Sequence, residues 1–143
     1  MNTDFSIRHF GIVVQNIDES LFFYENLLGF KVFKKMEESG PEISTFLGIK
    51  NVKVTTIKMR NQFNQMIELL YYQEQAHKND VFINQLGPTH LALSVSNLDD
   101  LYQNFKKQNI EFISSPIITD NKFAKVAFCK APEGTFVELV EEL

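Results

Sequence analysis

The stretch Pro88-Thr89-His90-Leu91-Ala92-Leu93-Ser94-Val95-Ser96-Asn97-Leu98-Asp99-Asp100-Leu101 has a near copy earlier in the chain, Ile7-Arg8-His9-Phe10-Gly11-Ile12-Val13-Val14-Gln15-Asn16-Ile17-Asp18-Glu19-Ser20. A shift of 81 positions lays His9 on His90, Val14 on Val95, Asn16 on Asn97 and Asp18 on Asp99. Each copy reads as a short apolar strand entered by a histidine, then a helix start at Asn-Ile-Asp or Asn-Leu-Asp. A second echo follows in each half. Ile67-Glu68-Leu69 and Val137-Glu138-Leu139 both set one carboxylate inside an apolar run. The chain is therefore a duplication in which each half offers one strand histidine and one strand glutamate.

Working outward, the order of elements repeats as well. In the first half, residues 5–14 read as a strand buried on both faces, and Asp18 as the N-cap of a helix. Leu21, Phe22, Tyr24, Glu25, Leu27 and Leu28 supply that helix with a largely apolar stripe, and Gly29 is placed to end it. A strand over 30–37 should turn Phe30, Val32, Phe33 and Met36 inward. The loop over 38–51 carries a short helical turn at 43–47, with Phe46 and Leu47 as candidate lid or pocket side chains. Strands at 52–59 and 65–72 flank a polar turn at 61–64. The second half predicts a strand at 89–96, a helix at 98–108, a short strand at 111–114 stopped by Pro116, and strands at 122–130 and 135–140. Both halves spell βαβββ, and the polar connector at 73–87 separates modules of about 1–75 and 86–143 within a single domain. The expected fold is α+β: two βαβββ modules forming a curved, mostly antiparallel eight-stranded sheet.

Composition bounds the function. With 143 residues, 44% of them hydrophobic and 22% charged, the chain suits one globular domain. A net charge of −4 with few arginines argues against nucleic acid as a partner. No apolar run reaches the roughly 20 residues needed to span a bilayer, so no membrane segment is expected. The N-terminus lacks a signal-peptide pattern, and the single Cys129 excludes an internal disulfide; both point to the cytoplasm. Cys129 reads as a packed thiol, and His77 as a solvated loop residue.

The candidate site is His9, Glu68, His90 and Glu138. A carboxylate amid Met66-Ile67-Glu68-Leu69-Leu70, or between Val137 and Leu139, is costly to bury unless a cation or donors compensate it. If the halves pair about a pseudo-twofold axis, all four side chains point into one concave sheet. Two imidazoles and two carboxylates suit a single divalent ion: Zn, Ni, Co, Fe(II) or Mn. A six-coordinate ion so held keeps two positions open, as catalytic sites do.

The sequence resembles the vicinal oxygen chelate superfamily, which includes glyoxalase I, methylmalonyl-CoA epimerase, extradiol dioxygenases and bleomycin-resistance proteins. The resemblance rests on His9-Phe10-Gly11-Ile12-Val13-Val14, on Phe23-Tyr24-Glu25 with Leu28-Gly29-Phe30, and on Ile67-Glu68-Leu69. It continues through Thr89-His90-Leu91-Ala92 and Pro132-Glu133-Gly134-Thr135-Phe136-Val137-Glu138-Leu139. It implies the glyoxalase-like fold, a small-molecule substrate and a homodimer. The two-His, two-Glu set is similar to that of glyoxalase I and implies a metal-dependent lyase or isomerase that moves a proton next to a carbonyl. In that reading Glu138 is the base and Glu68 its counterpart. The alternatives within the superfamily are an Fe(II) extradiol dioxygenase, which uses two histidines and one glutamate, and a small-molecule or antibiotic-binding resistance-type protein. Arg8 alternates away from His9, and Arg60 ends a strand facing solvent, so no arginine clamp marks the substrate.

Overall fold

The computed structural model of the chain describes residues 4–76 and 80–143, so His77 lies outside the described residues. The backbone divides into two compact units, Met1–His77 and Lys78–Leu143.

In the first unit the elements are β1 (Phe10–Val13), α1 (Ile17–Leu21) with a π-helical continuation (Phe22–Leu27), β2 (Lys31–Ser39), α2 (Pro41–Leu47), β3 (Lys53–Arg60) and β4 (Met66–Tyr72). The second unit holds β5 (His90–Ser94), α3 (Leu98–Lys107), β6 (Ile117–Ile118), β7 (Ala124–Lys130) and β8 (Phe136–Glu142). The eight strands form two four-stranded sheets, ordered β1-β4-β3-β2 and β5-β8-β7-β6. In each, the unit's first strand lies parallel to its last, and the remaining two pairings are antiparallel. This is the α+β, βαβββ architecture read from the sequence.

Local chemistry accounts for the elements. In β3 and β4 the alternate residues Ile57, Met59, Ile67 and Leu69 are fully or almost fully buried, and the intervening side chains line the opposite face. Asn61 fixes the β3–β4 turn, its Oδ1 accepting from the backbone N–H groups of Phe63 and Gln65. The β7–β8 turn closes through Ala131 and Thr135, and Gly134 takes φ +98°, where a side chain would be strained. In the second unit α3 lies against β7 and β8, burying Leu98 and Phe105, while Tyr102 meets Phe112 edge-on at 4.8 Å between ring centroids. In the first unit α2 places Ile43 on Val52, Val54, Leu70 and Tyr72.

The structure departs from the sequence reading at several points. The N-cap of α1 is Asn16, not Asp18: its Oδ1 accepts from Glu19 N–H at 3.1 Å. Asn97, its repeat partner, caps α3 in the same way, accepting from Asp100 N–H. Either side chain can cap, but Asn16 stands where the backbone is still extended and its carbonyl amide reaches the first turn. The π-helical continuation widens the turn, so Phe23 is buried together with Tyr24 while Phe22 is left exposed. The N-terminal strand is shorter than expected and is not covered on both faces: Ile12 and Val14 are buried, whereas Phe5, Ile7, Phe10 and Val13 are exposed. In β2 Phe30 is buried just before the strand, but Val32 and Phe33 are exposed on this edge strand, where a bulge between Val32 and Lys34 breaks the alternation. Residues 111–114 make only an isolated bridge, Phe112 with Cys129, and β6 forms beyond Pro116 instead. Proline has no N–H to continue a ladder across that point.

The two caps differ in backbone. Asn16 is extended at φ −138°, whereas Asn97 is left-handed at φ +57°. Asn16→Ala should cost about 1 kcal/mol through the lost cap. Asn97→Ala should cost about 2–3 kcal/mol, because alanine adds left-handed strain. Urea denaturation of the two variants checks the order; equal losses would show that the left-handed cap carries no extra strain.

Candidate functional site

Each unit brings its histidine and its glutamate together by one device. In the first unit β1 pairs parallel with β4 so that Gly11 lies opposite Glu68, and His9 enters two residues before Gly11. In the second, β5 pairs parallel with β8 so that Ala92 lies opposite Glu138, with His90 again two residues before. A two-residue offset keeps both side chains on one face of the sheet. The small residues Gly11 and Ala92 leave room beside each carboxylate. A Cβ on Gly11 would already stand 3.4 Å from a Leu70 methyl.

The pairs close to His9 Nε2–Glu68 Oε1 at 3.7 Å and His90 Nε2–Glu138 Oε2 at 3.3 Å. His9, Glu68 and Glu138 are partly buried, Glu68 the most at 14% exposed, whereas His90 is exposed at 39%. The Nδ1 atom of His90 lies 3.0 Å from the Thr89 hydroxyl, and its ring stacks edge-on with Phe128 at 5.5 Å, which fixes the imidazole plane. His9 Nδ1 is buried with no hydrogen-bond partner among the described residues.

Two donors bound to one ion at about 2.0–2.2 Å stand about 3.0 Å apart in octahedral and about 3.4 Å apart in tetrahedral geometry. The 3.3 Å pair matches this and the 3.7 Å pair is slightly wider. Imidazole nitrogen with carboxylate oxygen is also a donor set suited to a divalent transition ion. Each pair therefore suits two positions on such an ion; among the described residues no group of three or more His, Cys, Asp and Glu side chains is gathered to hold a metal.

With the fold and these pairs in view, comparison with known proteins places the chain. Residues 6–139 match the Glyoxalase/Bleomycin resistance protein/Dioxygenase superfamily. The chain belongs to that superfamily. A glyoxalase family protein from Bacillus cereus shares its fold at a TM-score of 0.88, with 20% identity over 99% of this chain and 97% of that one. The trypanothione-dependent glyoxalase I of Leishmania major superposes at a TM-score of 0.69, with 23% identity over 97% and 88% of the two chains. Among curated relatives, the Bacillus subtilis protein YwbC is 24% identical across 94% of this chain and 96% of its own length. The lactoylglutathione lyase of Schizosaccharomyces pombe is 23% identical across 96% of this chain, which spans 48% of that enzyme.

Within this glyoxalase-superfamily chain the two pairs are not equivalent, and the difference lies on the strand beyond each glutamate. The β3–β4 register sets Lys58 directly opposite Glu68, with Nζ 3.9 Å from Oε2. The β7–β8 register sets Phe128 opposite Glu138. Sequence reading missed Lys58, although the signal was present: with the turn at 61–65 fixed, counting back along both strands pairs 58 with 68. Arg60, read as solvent-facing, is exposed, and its guanidinium sits 4.4 Å from the Phe33 ring centroid. Among the described residues no helix is long and apolar enough to cross a membrane.

Cys129 is fully buried on β7, and burial pushes its thiol up from 9.0 to about 12. It is a packed thiol, as read from the sequence. The unfolded chain ionises near 9 and the folded one near 12, so between these values the unfolded chain binds fewer protons. The stabilisation is complete below pH 9 and declines as pH rises through that window. A disulfide-exchange reagent at pH 8 should therefore label the denatured chain at once and the native chain far more slowly; equal rates would show the thiol to be accessible.

Proposed function

We propose that His9, Glu68, His90 and Glu138 are ligands for a divalent metal ion (Zn, Ni, Co, Fe or Mn), and that the protein is a metal-dependent lyase or isomerase of glyoxalase type acting on a small molecule. The observation that supports this most is the repetition of one His–Glu pair, at 3.7 and 3.3 Å, on the same strand register in both units. The kinship with lactoylglutathione lyase agrees with it. When bound, the ion supplies a Lewis acid that polarises the substrate carbonyl and acidifies the adjacent C–H.

The chain's own residues move the proton. Glu138 is the base: among the described residues its ion pair is with His90, and no lysine tethers it. Glu68 is held by both His9 and Lys58, which suits a residue that stays in place while its counterpart swings. Phe128, stacked on His90, keeps water from the side on which Glu138 takes the proton and returns it. The proposal includes a homodimer, in which a second copy would cover apolar side chains such as Val32 and Phe33 that the β2 edge exposes.

Two measurements test this. Elemental analysis of untagged protein should find about one equivalent of a divalent transition metal; a metal-free, fully folded protein would instead favour a binding protein. Exchange of the acidic C–H of 2-oxoaldehyde–thiol adducts and acyl thioesters in heavy water should be catalysed. Glu138→Gln should then lose on the order of 10²–10⁴-fold in rate, and Glu68→Gln should also be severely impaired. Retention of full activity by Glu68→Gln, with oxygen-sensitive Fe(II) bound, would move the assignment to a dioxygenase.

A further inference from the structure

Beyond the His–Glu pair, the first unit carries a row of charge that the second lacks. The strand registers place Glu68, Lys58 and Lys34 side by side on β4, β3 and β2. Residues directly opposite in a ladder share a face, so the two lysines stand next to each other on the side that carries Glu68. Like charges in that relation destabilise a sheet. The fold does not require them: Phe128 takes the place of Lys58 opposite Glu138, and β6 reaches only Ile117 and Ile118, opposite Val126 and Lys125. The one carboxylate against the row is Glu68, 3.9 Å from Lys58 Nζ, and Lys34 has no ion-pair partner among the described residues. Arg60 lies on the same face but is engaged with the Phe33 ring and the Met66 sulfur.

We infer that Lys58, assisted by Lys34, is an anion subsite, and that the substrate carries a carboxylate or similar anion a short distance from the carbonyl at which the proton moves. The inference rests on the metal-site reading above. Once the charge of Glu68 is committed to a cation, Lys58 and Lys34 lose the one counter-charge that faces them among the described residues and are left to face an anion. Adjacent strands lie about 4.8 Å apart, so the two ammonium stems rise from points about 5 and 10 Å across the sheet from Glu68. A spacer of two or three carbons between the metal-seeking oxygens and the anion matches that span. Charge-assisted hydrogen bonds from an ammonium select an anion over a neutral group of the same shape.

The probes are two hydroxamates, acetohydroxamate and the monohydroxamate of succinate, which present the same chelating head with and without a carboxylate. Binding to the metal-loaded protein is measured by calorimetry. The succinate derivative should bind about 10-fold more tightly, a difference of about 1.4 kcal/mol, and the preference should shrink as salt is raised. Lys58→Met should bring the affinities of the two ligands to within about 2-fold of each other. Lys58→Phe installs the residue that the second unit already carries at this place, and should act alike while preserving the fold. Equal affinity of the wild-type protein for both ligands, or a preference that survives in both variants, would overturn the inference and leave the metal site standing. Failure of acetohydroxamate itself to bind would remove the metal reading and the anion subsite with it.

Discussion

Parallel pairing of the first strand of each unit with its last is the constraint on which the rest of the structure depends. It brings His9 to Glu68 and His90 to Glu138 across nearly a whole module of sequence. In a parallel pair the register is set once, and side chains at even offsets fall on one face. A slip of one residue would send the glutamate to the opposite, buried side, where a carboxylate has no cation and no water. The apolar residues flanking each glutamate hold the register against that slip: Ile67 and Leu69 in one unit, Val137 and Leu139 in the other, all at most 2% exposed.

The hairpins carry this constraint one strand further. Asn61 fixes the β3–β4 turn, and Gly134 with the Ala131–Thr135 bonding fixes the β7–β8 turn. Each turn decides what stands beyond the glutamate. Duplication preserved the donor pairs, but it did not preserve this neighbour, which is Lys58 in the first unit and Phe128 in the second. One carboxylate is held by a cation, while the other lies beside an aromatic ring that stacks on its histidine. Two chemically similar pairs thereby acquire different surroundings.

The departures of the structure from the periodicity of the sequence share a physical origin. Helix position along the sequence was legible, but its cap and phase were not. Asn16 rather than Asp18 meets the first free N–H, and a π-helical turn rotates Phe23 into the interior in place of Phe22. Periodicity assumes a fixed 3.6 residues per turn, which one inserted residue cancels. The apolar residues of β2 suggested burial, yet strand composition alone does not distinguish an edge from a centre, and Val32 and Phe33 stand on an exposed edge. Pro116 marks the end of a strand by sequence alone, whereas the ladder to β7 forms after it.

By itself the sequence determined the duplication, the βαβββ order, the α+β class and the identity of the two histidines and two glutamates. Those features are written in local periodicity and in the repetition of residue types, which survive without knowledge of long-range contacts. Tertiary structure decided which side chains meet. It set the parallel registers that close the His–Glu pairs to 3.7 and 3.3 Å, and it placed Lys58 and Phe128 beside the two carboxylates. It also lined Lys34 up with Lys58. Partners on adjacent strands are fixed by turn geometry and by which face is buried. Those choices are made only when the whole sheet forms, because no single strand can choose its neighbour.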